Sequence, residues 1–420
     1  MKYSYYYLKK YLLKKTKYIQ INVIKLMFMV PDQLEIKLKP RQWFYCRTNS
    51  SEGSIEILKG KLELFTIPVP TPFKISFFIG QTILGQAKGP ITIKYSNAEV
   101  TPLTGSPFPP EWSRVYLTIL SDTANTKFSQ QIEVIGAPDQ GKTTFLLYLG
   151  HKLCNKGKKI GWLDLDPGQN TLSCPGTLSY GEFHAIKDNP QEWIPKAKKI
   201  ILFGSNTPRG LLNAYQDVVQ EFAEYVEQER PDWLLIDTPG YIGDEYARDI
   251  QQAILSIIKP QNLIQLGDEI FQMWCKTLIH KYKRYHVNPS NQVGITKTRT
   301  PETRRLKREV RYNNLLRTLT KKVSLEIKKF SSIQVVSSKG WLDHSMITNF
   351  QWSPNQMCEL SLNKKKYLAK LISNDNTTID LMTTKDFPSQ TEAFNDLKIR
   401  LGLIWLSDDG KEIPSALKQN

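Results

Sequence analysis

Gln131-Ile132-Glu133-Val134-Ile135-Gly136-Ala137-Pro138-Asp139-Gln140-Gly141-Lys142-Thr143-Thr144 is the stretch on which the fold turns. Its first five residues read as a buried strand. Gly141–Lys156 reads as a helix, with Phe145, Leu146, Leu149 and Leu153 at helical spacing. Between them lies Gly-x4-Gly-Lys-Thr, which in a strand–loop–helix context holds the phosphates of ATP or GTP. Glycines let backbone N–H groups approach phosphate oxygens, and the helix N-terminus adds a favourable dipole. Gly136, Asp139, Gln140, Gly141, Lys142, Thr143 and Thr144 are therefore the expected nucleotide-binding residues. Lys142 supplies charge to the β- and γ-phosphates, and the Thr143 hydroxyl is a magnesium ligand.

Outward from this loop, strand-like and helix-like runs alternate. Lys159–Leu163, Lys199–Phe203 and Trp233–Ile236 read as buried strands, with Leu211–Glu229 and Glu245–Ile258 as helices between them. That alternation predicts an α/β domain with an open parallel sheet over residues 120–330. Upstream, short alternating runs (Ser54–Leu58, Lys61–Ile67, Lys74–Ile79, Ile91–Tyr95) predict a smaller β-rich domain over 31–115. Pro102 to Pro110 reads as a linker that continues neither strand nor helix. Downstream, Ser332–Val336 and Thr377–Met382 predict a second β-rich domain over 331–420.

Two strands end in acids. Trp162-Leu163-Asp164-Leu165-Asp166-Pro167-Gly168-Gln169 places Asp164 and Asp166 at a strand's carboxyl end, where neighbouring strands share one crevice. Alternation puts both on one face, so one is expected to hold magnesium through water and the other to accept a proton from an attacking hydroxyl. An Asx-turn that merely closes the loop is the competing role, and weighs more for Asp164. Leu234-Leu235-Ile236-Asp237-Thr238-Pro239-Gly240-Tyr241 is the second such end. It reads either as the metal-water aspartate of a nucleotide hydrolase or as a GTPase switch segment.

The chain has 420 residues and a formal charge of +17, which favours polyanions and makes nucleic acid the first partner to consider. Residues 297–329 hold twelve Lys/Arg against three Glu. Thr300-Pro301-Glu302 is a helix start there, and Arg304, Arg308 and Arg311 share one face with Arg299 just before it. Such arginines either neutralise charge on a phosphoryl group in transit or form a solvated nucleic-acid-binding face.

Five scattered cysteines without a CxxC pair argue for a reducing compartment and against a structural zinc site. Residues 1–30, a basic extension with seven lysines and no acid, carry neither a signal-peptide pattern nor an apolar run long enough to span a bilayer. No membrane partner is expected.

Three of these segments together resemble the polynucleotide 5′-hydroxyl kinase family, the P-loop RNA kinases of mRNA 3′-end, tRNA and pre-rRNA processing and their archaeal relatives. They are the phosphate loop, Asp164-Leu165-Asp166-Pro167-Gly168-Gln169 continuing to Cys174-Pro175-Gly176-Thr177, and Arg299-x4-Arg304-x3-Arg308. Phe203-Gly204-Ser205-Asn206-Thr207-Pro208 is similar, less specifically, to the segment that clasps substrate. The resemblance implies transfer of the ATP γ-phosphoryl to the 5′-hydroxyl of RNA, with DNA as an open alternative, and a magnesium cofactor. It implies Asp166 as the residue that activates the hydroxyl, supported by Asp164 and Gln169. It makes residues 297–317 an arginine lid, with Arg304 foremost and Arg299 and Arg308 assisting. Thr207 and Tyr241 would meet the substrate, Tyr241 standing where relatives carry Trp and Asp237 where many carry Asn. Partners would be RNA ends and subunits of an RNA-processing complex. The location would be intracellular, nuclear if eukaryotic and cytoplasmic if prokaryotic. A GTPase or ATPase, and a scaffold that keeps nucleotide as a structural ligand, are the rival readings.

Overall fold

The computed structural model describes residues 34–123, 129–186, 188, 192–278, 283–287, 300–347, 351–375, 377–388 and 396–413. The basic extension 1–30 and Arg299 lie outside them.

The central sheet contains β1 (Gln130–Gly136), β2 (Ile160–Asp164), β3 (Thr177–Glu182), β4 (Ala197–Leu202), β5 (Trp233–Asp237), β6 (Asn262–Leu266) and β7 (Lys283–Val287). Their order is β4-β3-β2-β5-β1-β6-β7. β2, β5, β1, β6 and β7 are mutually parallel, and β1 sits between β5 and β6. β3 and β4 run antiparallel at one edge, so the sheet is mixed rather than wholly parallel as expected. The expected strand over 199–203 is thus an antiparallel edge, and β3 has no counterpart in the sequence reading. Its residues Thr177-Leu178-Ser179-Tyr180-Gly181-Glu182 lack the apolar run that marks a fully buried strand.

Helices cover both faces. α1 (Pro110–Thr123), α2 (Lys142–Cys154), α3 (Leu212–Glu229), α4 (Glu245–Ile258), α5 (Glu269–Lys276) and α6 (Pro301–Leu316) follow in chain order. α1 was hidden in the sequence by the proline-rich run before it. Pro110 takes the first helical position, where its missing N–H costs nothing. Pro102 lies inside the strand Glu99–Leu103, at the edge of its sheet, where proline is tolerated. The basic run also splits: α6 ends at Leu316, and Leu319–Glu326 continues as a strand.

The N-terminal part is two antiparallel sheets of four and five strands, and the C-terminal part is one seven-stranded sheet. One hydrophobic core joins the N-terminal sheets to α1, α2 and a face of the central sheet, through Phe108, Trp112, Phe145 and Tyr148. Trp112 stacks edge-on to Phe145 with ring centres 5.1 Å apart. The opposite face packs Tyr215, Val218 and Phe222 of α3 and Ile250 and Ile254 of α4. At the C-terminal junction the backbones of Gly204 and Gly402 touch: a Cβ on Gly204 would come within 2.7 Å of the Gly402 Cα. The three parts therefore share walls, and the site lies where those walls meet. No helix of the described residues is long and apolar enough to cross a membrane.

Candidate active site

The phosphate loop spans the turn from β1 into α2. Asp139 has φ 64° and Gly141 φ 92°, so the chain curls its N–H groups inward before α2 begins. Gly136 is required for a different reason from the one expected. A Cβ there would come within 2.5 Å of the Leu266 carbonyl oxygen, so the neighbouring strand β6 excludes any side chain. Lys142 is buried and donates to the carbonyls of Gly136 (2.8 Å) and Ala137 (3.1 Å), which aims its ammonium across the loop.

β1 and β5 lie side by side, so Asp237 at the end of β5 meets Thr143 at the start of α2. The Thr143 hydroxyl donates to Asp237 Oδ2 at 2.9 Å. Asp237 Oδ1 is buried without a hydrogen-bond partner. Burial pushes the Asp237 carboxyl up to about 6, against the pull of Lys142 and the Thr143 hydroxyl. The sequence pattern leaves this aspartate between a metal-water role and a switch segment, and assigns magnesium to Thr143, Asp164 and Asp166.

Asp164, expected among the magnesium ligands, makes bonds of a different kind. It is 1% exposed, accepts from the N–H groups of Asp166 (3.1 Å) and Thr171 (2.5 Å), and does not line the cavity described below. Burial and the neighbouring Asp237 charge raise its carboxyl well above the usual carboxylate range. Its work is to shape the loop, as an Asx-type residue does. Asp166 reaches the cavity instead. Its Oδ1 accepts from the N–H groups of Gly168 (2.9 Å) and Gln169 (3.0 Å), and those bonds leave Oδ2 unused.

A cavity of about 400 Å³ collects these groups. Asp139, Gln140, Gly141, Lys142, Thr143 and Thr144 form its floor, and Asp237 and Asp166 its flank. Gln169, Thr207 and Tyr241 line it as well, with Asn206 beside them. Gln169 Oε1 is buried and has no hydrogen-bond partner, an unfilled polar position in the wall. The Tyr241 hydroxyl donates to Asp244 Oδ2. Thr82 and Leu84 of the N-terminal domain, Pro107 of the connecting segment and Trp112 of α1 form a largely apolar end, a grouping no local pattern in the chain encodes.

α6 closes the top. Thr300 caps it by accepting from Thr303 N–H at 3.1 Å, with Pro301 at the first helical position. Arg304 and Arg308 face the cavity. Arg304 Nη2 donates to Asp139 Oδ2 at 2.8 Å, and Arg308 Nε to Glu412 Oε1 at 2.8 Å. Arg311, on the same face, donates to the carbonyls of Asn170 and Ser173 and so holds the Asp166 loop. Lys307 also lines the cavity; its position three residues after Arg304 was the available signal. Glu412 had none.

The donor set suits a magnesium ion with a nucleotide. A buried carboxylate oxygen lacking a partner stands beside the Thr143 hydroxyl, and such a hard cation takes few protein ligands when phosphates and water supply the rest. Among the described residues no cluster of three or more His, Cys, Asp or Glu offers a self-sufficient metal site.

A relative from Arabidopsis thaliana, Protein CLP1 homolog 5, is 27% identical over 234 residues, covering 51% of this chain and 53% of that protein. The polynucleotide 5′-hydroxyl-kinase GRC3 of Candida albicans is 26% identical over 166 residues, 37% of this chain and 24% of its own. A polyribonucleotide 5′-hydroxyl-kinase of Pyrococcus furiosus is 31% identical over 144 residues, 33% of this chain and 38% of its own. The matched stretches thus span about half of the first relative and a quarter to two-fifths of the others. In solved form, Clp1p from a complex with Pcf11p superposes with a TM-score of 0.66 over 89% of this chain and 98% of that one, at 12% identity. Residues 136–318, from the phosphate loop through α6, match the family model described as mRNA cleavage and polyadenylation factor CLP1 P-loop.

Proposed function

We propose that this protein is an ATP-dependent polynucleotide 5′-hydroxyl kinase that phosphorylates RNA ends. One observation carries the reading: a single cavity holds the phosphate loop, the Asp166 carboxylate and the lid cations Arg304 and Arg308. A hydrolase can work with the first and a positioned water. A kinase needs all three, because two substrates must be held in line and the transferring group screened.

In this reading the loop N–H groups and Lys142 grip the triphosphate. Thr143 and Asp237 would hold magnesium, which when bound neutralises charge on the phosphate oxygens. Asp166 accepts the proton of the 5′-hydroxyl through a carboxylate already oriented by the Gly168 and Gln169 N–H groups. The hydroxyl oxygen forms its bond to the γ-phosphorus as the bond from that phosphorus to the β,γ-bridging oxygen breaks, and ADP leaves. Arg304 and Arg308 supply positive charge above the transferring group. Thr207 and Tyr241 receive the acceptor strand, and the excess of basic residues draws it in.

Names of relatives support the substrate and setting. Two are 5′-hydroxyl-kinases of polynucleotides, and the superposed Clp1p was solved with Pcf11p. We therefore extend the proposal to a role in RNA processing with protein subunits as partners. None of the five cysteines is in a disulfide, which supports a reducing, intracellular location.

The test is transfer of label from γ-labelled ATP to a 5′-hydroxyl RNA oligonucleotide, with Lys142→Ala and Arg304→Ala beside the unaltered protein. Labelled RNA that both substitutions abolish or reduce by orders of magnitude supports the kinase. Release of labelled phosphate without any labelled RNA assigns the site to a hydrolase, the reading that the Thr143–Asp237 pair alone would satisfy. Nucleotide binding with neither reaction assigns it to a scaffold.

A further inference from the structure

Arg304, Lys307, Arg308 and Arg311 occupy one face of α6 at spacings of three and four. The three arginines each have an oxygen partner within the protein: the Asp139 carboxylate, the Glu412 carboxylate, and the carbonyls of Asn170 and Ser173. Lys307 differs in depth. Only it and Tyr312 are buried along α6, and Lys307 is 6% exposed. An ammonium at that depth must be offset by nearby negative charge. Lys307 lines the same cavity as Lys142, Thr143 and Asp237, the carboxylate that receives the Thr143 hydroxyl. The field of Lys307 therefore falls on the end of the cradle where the magnesium and terminal phosphate belong.

The route of its side chain is set from another domain. Gly80 stands in the turn between the strands Phe73–Phe78 and Thr82–Ala87, with φ 81°. A Cβ on Gly80 would come within 2.8 Å of Lys307 Cδ and 3.3 Å of Cε. The turn thus leaves a groove that the lysine stem fills, and Thr82 and Leu84 just beyond it wall the same cavity.

We propose that Lys307 is a nucleotide-binding residue that contacts the terminal phosphate of a bound triphosphate, and that the Gly80 turn of the N-terminal domain seats it there. Lysine suits this task as a compact point charge with no need of bidentate geometry. A lysine that merely balances Asp237 would not distinguish a triphosphate from a diphosphate; a terminal-phosphate contact must. The inference rests on the cradle's holding a nucleoside triphosphate, not on the identity of the acceptor.

The experiment is titration calorimetry of the full chain with ATP and with ADP, each with magnesium. Lys307→Gln is expected to weaken ATP about tenfold or more and ADP less than about threefold, so the preference for ATP collapses. Gly80→Ala, which crowds the stem without removing the charge, should lower the preference in the same direction by a smaller factor. Gly157→Ala, at a turn with φ 75° and open space around it, controls for backbone strain and should leave the preference unchanged. Lys142→Ala should weaken both nucleotides. Equal loss of ATP and ADP affinity in Lys307→Gln, or no loss, overturns the proposal while leaving the cradle intact. An unchanged preference in Gly80→Ala overturns the seating. Failure of the unaltered protein to bind either nucleotide overturns this inference and the kinase reading together.

Discussion

Arg308 of α6 and Glu412 of the C-terminal segment are joined by a hydrogen-bonded ion pair at 2.8 Å. Glu412 Oε1 also accepts from Asn206 Nδ2 at 2.9 Å, and Asn206 Oδ1 accepts from the Tyr312 hydroxyl at 2.7 Å. α6, the loop at Asn206 and the C-terminal segment are thus tied at one carboxylate, more than a hundred residues from the arginine in sequence. This gives the C-terminal domain a part in the site that its strand content alone does not suggest.

Glu412→Ala should therefore loosen the lid more than it destabilises the fold. The pair is partly solvated, so its loss costs about 1 kcal/mol or less in thermal unfolding. Phosphoryl transfer should fall about three- to tenfold in kcat, with the KM for ATP nearly unchanged, because Arg308 loses its fixed position. A rise in kcat would mean instead that Glu412 restrains Arg308.

How much of this was readable in advance follows from locality. Gly136–Thr144, α2, α4 and Asp166 are encoded in short contiguous patterns, and β1, β2 and β5 announce themselves as apolar runs, whereas β6 and β7 do not. The antiparallel β3, the lock between Arg308 and Glu412, and the apolar end made by Thr82, Leu84 and Trp112 depend on segments far apart in the chain. Periodicity carries no information about such pairings. Asp164 misled because alternation along a strand says which face a side chain takes, while the loop N–H groups of Asp166 and Thr171 decide what it bonds.

Asp237 gives a pH signature. Its carboxyl titrates at about 6 in the fold, above its ordinary value of 3.8, chiefly through burial. The folded state then binds more protons than the unfolded one between those values. Stability from this group is complete below about 4 and is lost as pH rises through about 6. Asp237→Asn should lack that slope, so the difference in unfolding free energy between the two proteins should carry it. The same substitution should raise the magnesium concentration needed for half-maximal transfer about tenfold or more.

His151 has the opposite sign. It is buried, its ring 5.5 Å from that of Phe65, with Nε2 2.8 Å from the Trp193 carbonyl oxygen. Burial lowers it from 6.5 to about 4. Here the unfolded chain binds more protons in that window, so the contribution is complete above 6.5 and is lost as pH falls towards 4. Urea unfolding at stepped pH should show His151→Phe losing less stability on acidification than the unaltered protein, by up to about 3 kcal/mol.

Tyr241 tests the acceptor side. It lines the cavity, the Arg209 guanidinium lies 6.0 Å from its ring centre, and its hydroxyl is bonded to Asp244, which also caps α4 by accepting from Ala247 N–H. Two roles can be separated by two substitutions. Tyr241→Phe keeps the ring and removes the hydroxyl; Tyr241→Ala removes both. Stacking of a nucleobase on an aromatic ring is worth about 1–3 kcal/mol. If the ring carries the acceptor, Tyr241→Ala should raise the KM for a 5′-hydroxyl oligonucleotide about five- to a hundredfold with the KM for ATP unmoved. Tyr241→Phe should then stay within about threefold of the unaltered protein. Equal damage from both would transfer the role to the Tyr241–Asp244 pair, which would then act by fixing the loop rather than by touching a base.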